Sequence, residues 1–220
     1  MIMRGIVKFV SGIVLLLTVV TVYGDALHNY SRALDRAERN FWLVMMGRTD
    51  AARDNYKRTL TELKNIAAEI DHMEYLKGLR RSRAALSNNV SVIDSLLSRQ
   101  LPSFRRISIS SSSMMNSSVD VYRAKLARAR KRSSRLGPIP YEELTLENYR
   151  NYLQTVRDSN VRTVESRIRN NRNMNGSAKE TLIQITETFY TAVGELRYKV
   201  LQMRQQHPLF KKKKQKSILD

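Results

Sequence analysis

From Leu27 onward the apolar positions recur as Leu27, Tyr30, Leu34, Ala37, Phe41 and Val44. Steps alternating between three and four residues put one apolar seam along a helix. A seam of this kind predicts a coiled coil or a helical bundle. Gly47 offers a helix stop, and Thr49 or Asp50 offers the cap of the next helix. The pattern resumes at Tyr56, Leu60, Leu63, Ala67, Ile70 and Met73 and continues near Leu76 and Leu79. A further set runs from Leu86 to Leu97, interrupted at Asn88-Asn89, and Pro102 closes this half.

The second half repeats the logic. Thr145 can cap a helix carrying Leu146, Tyr149, Leu153, Val156, Val164 and Ile168. Residues 170–176 form a polar, Asn-rich loop, and Ser177-Ala178-Lys179-Glu180 reads as a capping box. The following helix carries Leu182, Ile185, Phe189, Val193, Leu196, Val200 and Met203 and stops before His207-Pro208. The fold class expected is all-α, with long coiled-coil-like helices forming a bundle or an extended scaffold.

The N-terminus differs in kind. Phe9 to Tyr23 carries no charge, behind Arg4 and Lys8. With Ile6 and Val7 counted and Lys8 snorkelling, residues 6–23 give an apolar stretch of about 18 residues, the lower end of what spans a bilayer. An uncleaved signal-anchor helix and a signal peptide cleaved near Gly24 both fit. A buried core helix and a mitochondrial presequence fit less well, because the run is uniformly apolar and lies at the chain's start. Arg4 and Lys8 lie closest to the run, which puts the N-terminus on the cytoplasmic side and the body outside or in a lumen.

One patch is apolar on every helical face: Phe41-Trp42-Leu43-Val44-Met45-Met46. It requires burial on several sides, by protein or by lipid. Phe41, Trp42, Val44, Met45 and Met46 are therefore candidate protein-interface residues, and Trp42 is the only tryptophan.

Composition narrows the chemistry. The 220 residues include no cysteine, which excludes disulfides, Cys-ligated zinc and thiol catalysis. Eight glycines and four prolines are too few for an all-β barrel or sandwich. His28, His72 and His207 lack metal-ligand spacing, and there is no phosphate-binding Gly-rich loop, G-x-S-x-G elbow or H-E-x-x-H. Glu142-Glu143 beside Pro140 reads as a helix start that favours the dipole. No catalytic residue, metal ligand or cofactor is expected, and the chain is read as a non-enzyme.

The formal charge of +19 is unevenly spread. Residues 1–24, the anchor or signal peptide, contribute +2, and residues 25–101, the seamed region, +3. Residues 102–140, a Ser-rich linker and basic helix, contribute +8. Residues 141–207, a helical hairpin, add +2, and the Lys-rich tail 208–220 adds +4. The linker begins as a loop with eight serines between Pro102 and Ser118, then reads as a helix from Val119 to Arg135. Arg105-Arg106-Ile107-Ser108 within it resembles a basophilic kinase site. Candidate polyanion-binding residues are Arg123, Lys125, Arg128, Arg130, Lys131, Arg132 and Arg135, with Lys211, Lys212, Lys213, Lys214 and Lys216 in the tail. Such binding, to nucleic acid or anionic lipid, would be nonspecific and salt-dependent, since no base-reading motif is present.

Four N-x-[ST] sequons, at Asn29, Asn89, Asn116 and Asn175, and the dibasic Lys131-Arg132 matter only for a lumenal or secreted body. The function expected is structural: a membrane-tethered helical scaffold or accessory subunit of a larger assembly, for example a minor virion component bridging membrane and capsid. Expected partners are the membrane, through residues 6–23, and other protein subunits, in an oligomer or hetero-complex. A polyanion-binding module and a secreted, processed helical protein are the alternatives.

Overall fold

A computed structural model describes residues 2–45, 50–76, 86, 90–91, 93–95, 114–129, 139–169, 171–172 and 174–206, with side chains from residue 22 in the first stretch and between 51 and 73 in the second. The described residues form helices, one 3₁₀ turn and irregular connectors, with no strand. The elements are α1 (Ile2–Met45), α2 (Asp50–Leu76), α3 (Val119–Ala129), a 3₁₀ turn at Tyr141–Glu143, α4 (Leu146–Arg169) and α5 (Gly176–Gln206). The chain is all-α.

The seam packs α1 against α2 as an antiparallel hairpin. The amide of Asn40 donates to Thr59 Oγ1 at 3.0 Å, and Arg36 pairs with Glu62. Leu34, Ala37 and Phe41 face Leu60, Leu63 and Ala67 within one core. Leu86, Val90 and Ile93 are buried in the same core, and Lys64 pairs with Asp94. The second hairpin joins α4 to α5. Leu153 packs across from Gly194, where a Cβ would stand 3.8 Å from its side chain, an ordinary contact distance. Helix α5 then runs antiparallel along α1 and closes the core with Ile185, Phe189, Val193 and Leu196.

Local chemistry sets the ends. Thr145 caps α4, its hydroxyl accepting from Asn148 N at 3.3 Å, as expected. Helix α5 starts earlier than its sequence suggests. Asn175 Oδ1 accepts from Ala178 N at 2.8 Å, and Ser177 is already inside the helix, its carbonyl taking the Thr181 hydroxyl. Asn175 takes the N-cap position two residues before Ser177 and accepts from the amide three residues on, so the helix has already begun where the Ser177 cap was expected. Glu142 and Glu143 belong to the short 3₁₀ turn, and α4 begins after it. Ser118 opens α3, its hydroxyl accepting from Asp120 N at 3.4 Å.

Among the described residues no helix is long and apolar enough to cross a membrane. Of the apolar run 6–23, only Val22 and Tyr23 have described side chains. The backbone through the run is helical and continuous with the body of α1.

Candidate functional site

The charged residues at the centre of the molecule were hidden in the apolar stripes. Glu38 stands one position after Ala37 on α1, and Arg197 one position after Leu196 on α5. Both lie on buried helix faces, 4% exposed each. Arg197 Nη2 donates to Glu38 Oε2 at 2.8 Å, and Nη1 stands 2.9 Å from Asp35 Oδ1, an ion pair without hydrogen-bond alignment. Burial disfavours the Arg197 charge, but Glu38, Tyr149 and Asp35 outweigh it and push its pKa upward. Glu38 Oε1 accepts from the Tyr190 hydroxyl at 3.2 Å, and Trp42 Nε1 donates to that hydroxyl at 2.8 Å.

This cluster grips the connector that enters α3. Residues 115–118 are neither helix nor strand. The Asn160 amide, fully buried, reads Met115 twice: Oδ1 accepts from Met115 N at 2.8 Å and Nδ2 donates to Met115 O at 2.9 Å. Tyr152 donates to Asn116 O at 2.6 Å and Tyr149 to Ser117 O at 2.9 Å. Ser117 N and Oγ donate to Glu38, and Ser117 Oγ accepts from Arg197 Nε at 2.6 Å. The backbone of a Ser-rich strap thereby finds in side chains the partners that a helix would have supplied. Although the Ser117 hydroxyl bonds a carboxylate, it is 1% exposed and also held by a guanidinium, which closes this group to a substrate. A cavity of about 550 Å³ borders the clamp, lined by Asp35, Arg39, Leu43, Met114 and Asp120 among others.

The clamp fixes the position of the basic helix. Tyr122 of α3 packs on Tyr149 and Tyr152, with ring centroids 5.4 and 4.7 Å apart. Arg123 is engaged inside the protein: it pairs with Asp120 at 2.8 Å, bonds Ile139 O and stands 3.8 Å over the Tyr141 ring. Arg204 of α5 lies over the same ring at 4.8 Å. Burial works against the Asp120 charge, but hydrogen bonds from Tyr141 and Arg123 and the charges of Arg123 and Arg204 hold its pKa below the ordinary value. Lys125 and Arg128 are exposed, with Lys125 Nζ 5.2 Å from the Tyr152 ring centroid. Arg130, Lys131, Arg132, Arg135, Lys211, Lys212, Lys213, Lys214 and Lys216 lie outside the described residues.

The interface candidates are covered by the chain itself. Phe41, Trp42, Val44 and Met45 are buried, and Met46 lies outside the described residues. Phe41 stacks on Phe189 of α5 with centroids 3.8 Å apart and planes 4° off parallel, and Trp42 lies against Tyr190. The all-round apolar patch is thus filled by α5 on one side and α2 on another. Among the described residues no group of three His, Asp or Glu side chains could hold a metal ion.

Set beside protein-family models, curated proteins and solved structures, the chain matches none of them.

Sequence reasoning missed Asp35, Glu38, Asn160 and Arg197. The signal was available in part. An acid on the apolar face of one helix and a base on that of another are each costly alone, and the cost is met when they pair.

Proposed function

We propose that this chain is a non-enzymatic structural protein, a membrane-tethered helical scaffold that serves as accessory subunit of a larger assembly, such as a virion component bridging membrane and capsid. The observation that carries the reading is the continuity of α1. One helix of 44 residues holds both the apolar run 6–23 and the seam that builds the core. At a rise of about 1.5 Å per residue it is about 66 Å long, of which the run takes about 27 Å, close to a hydrocarbon core of about 30 Å. A rigid helix without an intervening turn makes the body follow the anchor.

Tyr23 supports a retained anchor over secretion. It is 2% exposed and belongs to the core, so cleavage after Gly24 would strip a packed side chain from the body. Orientation follows the basic residues nearest the run, Arg4 and Lys8, with the N-terminus cytoplasmic and the body outside or lumenal.

Alkaline carbonate extraction of the expressed full-length chain tests the reading, together with N-terminal sequencing. The expected result is a membrane pellet whose protein begins at Met1 or Ile2. A soluble, monodisperse monomer, or a mature chain starting near Asp25, overturns it.

The exposure of Lys125 and Arg128 favours a second role, polyanion contact through the basic linker. Replacing Arg128, Arg130, Lys131 and Arg132 with Gln is then expected to weaken binding to anionic polymers and flatten its salt dependence.

A further inference from the structure

The turn that joins α4 to α5 carries Asn175-Gly176-Ser177, one of the four N-x-[ST] sequons. All three residues are exposed. Asn175 uses only half of its side-chain amide. Its Oδ1 accepts from Ala178 N at 2.8 Å and caps α5, while its Nδ2 makes no hydrogen bond among the described residues. The Ser177 hydroxyl makes none either, and only its carbonyl is engaged, by Thr181. A Cβ on Gly176 would meet nothing within 4 Å, so the turn opens into solvent. A glycan joins asparagine at Nδ2 and keeps the carbonyl oxygen, which is the atom that caps the helix here.

The turn also stands far from the apolar run. Helix α5 is antiparallel to α1, with Arg204 bonding Leu27 O and Ser31 Oγ at 3.3 and 3.2 Å. Counted back from Arg204, the start of α5 at Gly176 is about 42 Å farther from the point where α1 leaves the core. The other described sequons are less open. Asn29 follows Tyr23 by only about 9 Å of helix, and its Ser31 hydroxyl is engaged by Leu27 O and Arg204. Asn116 belongs to the clamp. Tyr152 holds its carbonyl, its Oδ1 accepts from Ser118 N at 2.7 Å, and Ser117 and Ser118 are buried. Asn89 lies outside the described residues.

We infer that Asn175 is the acceptor of an N-linked oligosaccharide, carried on the turn at the end of the body remote from the membrane. The inference rests on the tether reading with the body lumenal, and adds to it a modification. The donor is a lipid-linked oligosaccharyl diphosphate, presented by a membrane-bound transferase of the lumen. The bond from Nδ2 to C1 of the sugar forms, and the C1–O bond to the diphosphate breaks. The diphosphate leaves with the electron pair, and one Nδ2 proton passes to a base of the transferase. The Ser177 hydroxyl, two residues on, is the group that seats the sequon in that enzyme.

The test translates the full-length chain with endoplasmic-reticulum microsomes and reads its gel mobility before and after peptide N-glycosidase. The expected result is one upward shift that the glycosidase removes, leaving Asn175 deamidated in the mass spectrum. Asn175→Asp keeps an oxygen to cap α5, and Ser177→Ala leaves the cap untouched. Both are expected to abolish the shift, and Ser177→Thr to retain it. Carbonate extraction and added protease, applied to the same microsomes, read the tether and its orientation. An unshifted chain that stays in the membrane with its body protected from protease overturns this inference and leaves the tether standing. A shift kept by Asn175→Asp and lost by Asn29→Gln or Asn116→Gln assigns the glycan elsewhere and overturns it too. A body open to protease overturns the lumenal orientation and the inference with it. A shifted chain in the carbonate supernatant, with the shift lost in Asn175→Asp, supports the site and overturns the tether.

Discussion

Arg197 Nη2 and Glu38 Oε2 lie 2.8 Å apart at the junction of the first and last helices, with both side chains almost wholly excluded from water. Each residue is the reason the other can be buried. Replacing Arg197 with Ala leaves Glu38 charged and without its main partner, a loss expected to be about 3–5 kcal/mol. The double variant Glu38→Leu with Arg197→Met is expected to recover much of that loss. Urea unfolding of the full-length chain in mild detergent measures both. A double variant as unstable as Arg197→Ala would mean that the pair is not what makes the single change costly.

Asn160 holds the strap through its two bonds to Met115. Asn160→Leu removes both and leaves the partly buried Met115 amide and carbonyl without their partner, at a cost of about 1–3 kcal/mol. Asn160→Asp is expected to behave similarly, because a carboxylate cannot donate to Met115 O. Hydrogen exchange is the direct readout. Residues 115–118 are expected to lose protection while the α1–α2 hairpin keeps its own.

Phe189 closes the aromatic patch over Phe41 and Tyr190. Phe189→Ala is expected to destabilise the fold by about 3–5 kcal/mol through the cavity it leaves. Trp42 reports on the site because no other tryptophan contributes. Its emission is expected to shift to the red as water reaches the indole. An unshifted spectrum would show that α5 does not shield it.

Tyr30 and Tyr56 are buried, and among the described residues their hydroxyls have no hydrogen-bond partner. Burial, with Asp71 and Asp94 respectively, pushes both pKa values up. Removing an orphan hydroxyl removes its desolvation cost. Tyr30→Phe and Tyr56→Phe are each expected to raise the unfolding free energy by about 1 kcal/mol. A loss of stability in both would indicate partners for these hydroxyls.

Tyr152 gives the strap an alkaline limit. Burial, reinforced by Glu38, pushes its pKa from 10.0 up to about 12. A pKa raised on folding contributes stability that is fully present below 10 and lost as pH rises through about 12. The ionised phenol also cannot donate to Asn116 O. Protection of residues 115–118 is expected to fall as pH rises from 10 through about 12, with the Tyr152 phenolate absorbance half-developed near 12. Tyr152→Phe is expected to abolish that step and to weaken the strap at neutral pH.

The helices were legible because their cause is local. Leu27, Tyr30, Leu34, Ala37 and Phe41 sit on one face whatever they pack against, and Thr145 caps α4 through a bond within its own first turn. The start of α5 was misread because two capping residues stand within three positions, and Asn175 caps the helix first by accepting from Ala178 N. The polar clamp was harder to see. Glu38 and Arg197 are 159 residues apart, and nothing near either one names the other.

The sequence by itself determined an all-helical chain, the placing of its apolar faces, and the concentration of positive charge in the linker and tail, because periodicity and composition are properties of a single segment. Only the tertiary structure decided which faces meet. It put α5 over the Phe41–Met45 patch and turned Arg123 inward onto Tyr141. It held residues 115–118 between two hairpins, where a lone Ser-rich segment has no partner to order it. It also brought the ends of α2 and α5 to the level where α1 leaves the core. Burial and charge pairing depend on distances through space, and those are fixed only when the helices pack.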